Sequence, residues 1–289
     1  MKTLKESILS STKSLKESIL LSAKTEEVTT LIPKNKNELI SMIMDEIKEK
    51  GNNCSLNHID TSKIKDMSYL FGIPYYNLEK FNGDISKWDV SNVRNMECMF
   101  SGSKFNGDIS SWNVSKVWNM HCMFHGSKFN GDISNWDVSK VERMGGMFGN
   151  SKFNGDISKW NVSKVEDISG MFSYNKVFNQ PINDWNVSKV KDMETVFYAS
   201  VFNQDISSWN VSKVENMFQM FARNKEFNQP LDKWNISNVT NMRNMFYNSK
   251  FNQDISSWKL NPNCKTTDMF YKCKIKKDYK PFQDGERIE

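Results

Sequence analysis

FNGDISNWDVSKVERMGGMFGNSK, running from Phe129 to Lys152, is the stretch that decides the fold, because close copies of it fill most of the chain. Copies open at Phe81, Phe105, Phe129, Phe153, Phe178, Phe202, Phe227 and Phe251, a step of 24 residues with an occasional 25. A period of that size marks a repeat architecture, in which one unit cannot bury its apolar face alone and stacks on its neighbours. Positions within the repeat are counted from the opening phenylalanine.

Inside the unit the apolar residues show two periods in succession. Ile133-x-x-Trp136-x-Val138 has the L-x-x-L-x-L spacing of a leucine-rich repeat, which predicts a short strand with Trp136 and Val138 inward and Asn135 and Asp137 outward. Val141, Met144 and Phe148 then fall at i, i+3 and i+7, one face of a short helix, with Met147 beside them. Ser139 with Glu142, and likewise Ser163 with Glu166 and Ser212 with Glu215, read as capping boxes that start this helix. The expected fold is therefore α/β: a leucine-rich-repeat-like solenoid with one short parallel strand and one short helix in every repeat of 24–25 residues.

A column of asparagines, Asn82, Asn106, Asn130, Asn154, Asn179, Asn203, Asn228 and Asn252, stands at the turn into each predicted strand. An amide both donates and accepts, so this column is expected to be a buried ladder that satisfies turn backbone from one repeat to the next. The aspartates Asp84, Asp108, Asp132, Asp156, Asp205 and Asp254 form a second column, better suited to capping turns than to acid/base chemistry.

The chain divides into four regions. Residues 1–34 hold an 11-residue echo, Leu4 to Leu9 against Leu15 to Leu20, in a helical or partly disordered segment. Residues 35–80 comprise a capping helix from Asn37 to Lys50, closed by Gly51, and a degenerate first repeat in which Ile59 stands where tryptophan would. Within them Gly72 to Lys80 forms a bulged insertion. Residues 81–273 carry the repeats, and residues 274–289 are a polar tail. Two units, opening at Phe153 and Phe202, have 25 residues, and each is followed by Gln-Pro, at Gln180-Pro181 and Gln229-Pro230. Phe153 to Val201 aligns with Phe202 to Lys250 as one 49-residue block, which points to duplication of unit pairs.

Composition narrows the function. The net charge of +5, from 39 Lys and Arg against 34 Asp and Glu, is mild, and the column Lys116, Lys140, Lys164, Lys189 and Lys213 lacks the arginine or aromatic partners of a nucleic-acid stripe. Five cysteines do not form a disulfide framework and fit a reducing compartment. Cys98 and Cys122 share one position in adjacent repeats and could approach one another. No secretory signal or membrane span is legible, which points to the cytoplasm. Phosphate-loop, dinucleotide and zinc-protease motifs are missing, and there are only three histidines. No cofactor, metal site or catalytic residue is expected.

FNGDISKWDVSNVRNMECMF, from Phe81 to Phe100, and its copies resemble the BspA-like leucine-rich-repeat surface proteins, in particular the W-[DN]-V-S-x-V-x-x-M-x-x-M-F repeats of a domain of unknown function in mycoplasmal and spirochaetal proteins. The resemblance covers about Leu56 to Phe270 and implies a leucine-rich-repeat-like solenoid, with adhesion or protein binding at a bacterial surface. It supplies no catalytic residue. The expected function is a non-enzymatic scaffold for protein–protein binding, with an enzyme or regulatory protein acting through the N-terminal region or residues 72–80 as the alternative.

The candidate binding residues are the outward positions 7 and 9, among them Lys87, Asp89, Asn113, Asp137, Lys159, Asn161, Asp184 and Lys233. A second patch sits where the repeat breaks its own rule. Position 14 is Arg94, Glu142 or Glu166 in other units but Trp118 in the second, and His121 and His125 follow at i+3 and i+7, on one face of the predicted helix. Trp118 either packs over Arg94 or Glu142 of the neighbouring repeats or serves as a contact hot spot.

Overall fold

A computed structural model describes residues 30–282. The echo between Leu4 and Leu20 lies outside the described residues. The described residues from Ile32 onward belong to one compact unit.

The N-terminal cap of the repeats is the helix α1, Lys36–Lys50. Asn35 starts it by accepting the Glu38 N–H at 3.0 Å, and Gly51, at φ 84°, ends it while donating to the Ile47 carbonyl. Its apolar face buries Leu39, Ile40 and Ile43, and Lys36 reaches Ser68 Oγ at 2.7 Å on the first repeat.

The repeats themselves overturn the expected architecture. Among the described residues α1 is the one α-helix; the only other helical element is a 3₁₀ turn, Lys277–Tyr279, and no strand or sheet forms. Bridge pairing between repeats consists of isolated parallel bridges, Ser55↔Asp84 in the first coil and a column at position 15 that runs Asn95↔Asn119, Asn119↔Arg143, Arg143↔Asp167 and onward to Asn241↔Lys265. The strand-plus-helix solenoid is therefore wrong, and the backbone shows why.

In the segment predicted to be helical, alternate amides point in different directions. Met96, Cys98, Phe100 and Gly102 donate to Asn119, His121, Met123 and His125 of the next repeat at 2.7–2.9 Å. Met99, Ser101 and Ser103 instead donate three residues back, to Met96, Cys98 and Phe100. Half the donors thus close tight turns and half stitch repeats together, so every amide is satisfied without the i→i−4 bonds of an α-helix. Such a ribbon of turns repeats every four residues and places the chain in the left-handed region at positions 18 and 22. Cys98, Cys122, Gly146, Gly170, Thr195 and Gln219 stand at the first, and Gly102, Gly126, Asn150, Tyr174, Ala199 and Arg223 at the second, all at φ between 50° and 68°. A period of four and one of 3.6 bury the same residues over two turns, here positions 16, 19, 20 and 23, so the apolar pattern mimicked a helix.

The predicted strand is also made of turns. Trp112 N–H donates to Ile109 and Val117 N–H to Val114, at 3.2 and 2.9 Å, and the same two turns recur along the array. The capping boxes fall with the helix: the Ser139 N–H donates to Asp137 Oδ1 at 3.0 Å, and Ser163 and Ser212 do the same with Asn161 and Asn210. The residue before the Val-Ser pair is the turn former, not the serine.

Burial follows the repeat. Ile133, Trp136, Val138, Val141, Met144, Met147 and Phe148 are each at most 4% exposed, as are their counterparts in every full unit. Each buried tryptophan indole, at position 8, donates to the carbonyl at position 5 of the preceding repeat: Trp88 to Leu56, Trp136 to Ile109, Trp160 to Ile133 and so on to Trp258 with Leu231, at 2.8–3.2 Å. Phenylalanines stack beside them, Phe100 on Phe124 at 5.6 Å and 1° between ring planes, and Phe124 on Phe129 at 4.3 Å.

The asparagine column is a ladder, as expected, but not a buried one. The Asn106 N–H donates to Asn82 Oδ1, Asn130 to Asn106, Asn154 to Asn130, and Lys276 continues the series with Asn252, at 2.8–2.9 Å. These side chains lie at the surface or half-buried, where water competes. The buried amides are Asn119, in the position-15 column, and two others that act at position 23. In the 24-residue units a serine at position 23 accepts the next phenylalanine N–H, as Ser127 Oγ does from Phe129 at 3.3 Å. In the 25-residue units Asn175 and Asn224, both 0% exposed, replace it. Asn175 Oδ1 accepts from Val177 and Phe178 at 2.9 and 2.8 Å, while its amide donates to Phe148, Ser151 and Phe153. The longer side chain spans the extra residue that a serine could not.

Two expectations follow, both read by denaturant unfolding. Trp160→Ala should cost about 3–5 kcal/mol, for the lost transfer energy and the cavity left between stacked repeats, and Trp160→Phe about 1–3 kcal/mol, for an unpaired Ile133 carbonyl. Asn154→Ala should cost only about 0.5–1.5 kcal/mol, whereas Asn175→Ala should exceed it clearly, since each unsatisfied interior group costs about 1–3 kcal/mol. Equal losses at 154 and 175 would sink the distinction between surface ladder and buried clamp.

Candidate functional site

Three polar columns are built by the same device. At position 4 the Asp108, Asp132 and Asp156 carboxylates accept the N–H of Ser110, Ser134 and Ser158 at 2.9 Å. At position 9 Asp89, Asn113, Asp137 and Asn161 accept from the serine two residues on, at 2.9–3.2 Å. At position 15 Asn119, Asp167 and Asp192 do so with His121, Ser169 and Glu194. Short acceptors two residues before a donor suit such turns, so the aspartate column is a set of turn clamps. The backbone N–H and hydroxyl of the following serine hold the position-4 carboxyls below the ordinary aspartate range.

The candidate residues at positions 7 and 9, Lys87, Asp89, Asn113, Asp137, Lys159, Asn161, Asp184 and Lys233, are all exposed. They alternate with the buried tryptophan and valine on one face, but this face consists of turns, not of the expected parallel sheet. Its position-9 members are engaged by their own serines, whereas Lys87, Lys159 and Lys233 project freely toward solvent.

The second candidate patch loses the helix that had placed its members on one face. Trp118, 40% exposed, sits on a rung of its own, its N–H donating to the Arg94 carbonyl at 3.0 Å and its carbonyl accepting from Glu142 at 2.9 Å. His121 and His125 belong to the turn ribbon, where each leans on a glycine of the next repeat. A Cβ added at Gly145 would lie 2.9 Å from His121 Nδ1, and one at Gly149 would lie 2.8 Å from His125 Nδ1. His121 Nδ1 is withdrawn from solvent without a hydrogen-bond partner. Among the described residues no three His, Cys, Asp or Glu side chains gather in a metal-binding arrangement.

A feature that the sequence analysis missed lies at positions 21 and 22 of the C-terminal repeats. Tyr174 and Tyr198 meet edge to face at 5.0 Å, Arg223 covers the Tyr198 ring at 6.0 Å, and Tyr247 stacks on Tyr271 at 5.6 Å with Lys272 over the latter at 5.3 Å. Tyr174 and Tyr271 are 48% and 52% exposed. The signal was present, since these positions are glycine, serine, alanine or asparagine in the other units apart from His125, but a column analysis that seeks conservation of type passes over it. Lys191, Lys213, Glu215, Asn238, Thr240 and Asn261 line a shallow groove.

The geometry defines a repeat protein whose 24–25-residue turn-built coils are stacked in register, with polar columns outside and aromatic columns within. The chain belongs to the family described as Mycoplasma protein of unknown function, DUF285, whose model matches residues 38–152, 126–201 and 191–282. No curated protein matches the chain, and no solved structure does. Among the described residues no helix is long and apolar enough to cross a membrane.

The position-4 aspartates Asp108, Asp132 and Asp156 fix a sign for the pH dependence. Their carboxyl groups titrate lower in the folded chain than in the unfolded one, so the stability they add is present above about pH 4, the unfolded value, and is lost as pH falls through the folded values. The melting temperature should hold between neutral pH and about pH 5 and drop below that. Replacing Asp108, Asp132 and Asp156 together by asparagine, which keeps the acceptor, should flatten the acid limb; an unchanged limb would show that other groups govern it.

Proposed function

We propose that this chain is a non-enzymatic scaffold that binds a protein partner, with adhesion at a cell surface as the finer form that its resemblance to BspA-like repeat proteins favours. The observation that carries the proposal is the run of Tyr174, Tyr198, Arg223, Tyr247 and Tyr271, in which Tyr174, Arg223 and Tyr271 are exposed and Tyr198 and Tyr247 half-buried. Tyrosine and arginine are the side chains that most often anchor protein interfaces, because they offer large rigid area with a polar end. A stack of coils holds such residues at a fixed spacing, so a partner meets a pre-organised surface and loses less entropy on binding. The absence of any convergent set of titratable groups among the described candidate surfaces is consistent with binding as the task.

Capture from surface extracts on the immobilised full chain should recover one saturable partner, and Tyr174→Ala combined with Tyr271→Ala should weaken it by about tenfold or more with the melting temperature unchanged. Trp118→Glu serves as the comparison. Loss with Trp118→Glu alone would move the surface to the N-terminal repeats, and undiminished binding in both would leave the position 7 and 9 face.

A further inference from the structure

We propose that Cys98 and Cys122 form a redox-modification site, a pair of thiols in adjacent coils that closes into an intrachain disulfide by exchange with a low-molecular-weight disulfide such as oxidised glutathione. Both residues occupy position 18, and the ladder sets them side by side: the Cys98 N–H donates to His121 at 2.8 Å, Phe100 to Met123 at 2.9 Å, and Cys122 to Gly145 at 2.8 Å. The spacing of this column can be read one coil further on. An ideal Cβ at Gly146 would lie 3.9 Å from Cys122 Cβ and 3.9 Å from Cys122 Cα. Disulfides join Cβ atoms about 3.5–4.5 Å apart, so the register already meets the requirement without backbone movement. Cys98 at φ 51° and Cys122 at φ 52° have the same backbone conformation, which keeps their Cα–Cβ bonds parallel.

The side chains are poised for the exchange. Cys122 Sγ leans over Gly146, 2.6 Å from where a Cβ would stand, so the glycine leaves room for the thiol to rotate about χ1. The neighbouring Cys122 thiol lowers the Cys98 pKa, while Cys122, the donor of the pair, is pushed upward. Burial pushes Cys54 up, and Cys264 up to about 11. Cys98 is thus the favoured attacking thiolate. Both members of the pair are partly exposed, which admits a small reagent.

The balance is simple. Cys98 thiolate attacks one sulfur of oxidised glutathione, breaking its S–S bond, forming a mixed disulfide and releasing one glutathione thiolate. Loss of the Cys98 negative charge removes what held the Cys122 proton. Cys122 gives up that proton to solvent and attacks the Cys98 sulfur, forming the Cys98–Cys122 bond and releasing the second glutathione. The protein pair loses two electrons and glutathione gains them. The bond closes a loop across one coil, so the unfolded chain is constrained while the folded ladder is undisturbed, and the oxidised protein should melt higher.

The full chain is incubated with oxidised glutathione under native conditions, free thiols are alkylated, and tryptic peptides are mapped; Lys104 and Lys116 lie between the two cysteines and separate their peptides. A linked pair of peptides holding Cys98 and Cys122, in a protein lighter by two hydrogens and with a raised melting temperature, is the expected result. In Cys122→Ser the reaction should stop with one glutathione on residue 98. Alkylation of both thiols after exposure, stable glutathione adducts in the natural protein, links between chains, or an oxidised form that melts lower would each overturn the proposal. Mapping of the natural protein decides the matter even where the variant does not fold.

Discussion

Every coil is fastened to the one before it by an indole. The Trp Nε1 donor reaches a backbone carbonyl at position 5 of the preceding repeat in all eight tryptophan units, with the ring at most 5% exposed. A buried tryptophan supplies a large apolar area only if its N–H is satisfied, and here the partner is the group that turn-built backbone leaves over. One side chain therefore fixes the axial spacing, supplies much of the core and closes a backbone account. Tertiary stacking takes over the role that propensity for helix or strand would otherwise play.

That economy sets what can vary. Interior positions are occupied by one side chain per coil, so a change of coil length must be absorbed locally, and Asn175 and Asn224 show how a single buried amide does so. The outside is held by short acceptors that form turns with their own backbone, leaving positions 7, 14, 21 and 22 free of structural duty. Those positions are where the aromatic and basic departures accumulate: Lys87 and Lys159, Trp118, Tyr198 and Arg223. Function in such a protein lives in the residues that the stack does not need.

The left-handed columns show a further tension. Residues with a Cβ at φ near 50–60° cost more than glycine there, yet cysteine, threonine, tyrosine and arginine occupy several of these sites. At Cys98 and Cys122 the conformation aligns two thiols, and at Tyr174 and Arg223 it projects large side chains from the ribbon. The strain is spread over coils that hold one another in place, as strained backbone requires.

The sequence by itself determined the period, the inward residues, the N-terminal helix with Gly51 at its C-terminal end, the structural character of the aspartate and asparagine columns, and the membership of a mycoplasmal repeat family. All of these depend on local spacing or on identity between units. It did not determine the secondary structure of the repeat, because Val141, Met144, Met147 and Phe148 bury the same face in a 3.6-residue helix and in a four-residue turn ribbon. Only the stack decides between them: donors at positions 16, 18, 20 and 22 of the repeats are claimed by carbonyls 23 or 24 residues on, and an amide bound to the next coil cannot also close a helix. The grouping of Trp118 with His121 and His125 had been inferred through that helix and changed with it, and burial of the asparagines had been inferred from the turn into a strand that does not form. The tyrosine and arginine strip became visible only once successive coils were placed side by side, since its members are far apart in the chain and share no motif.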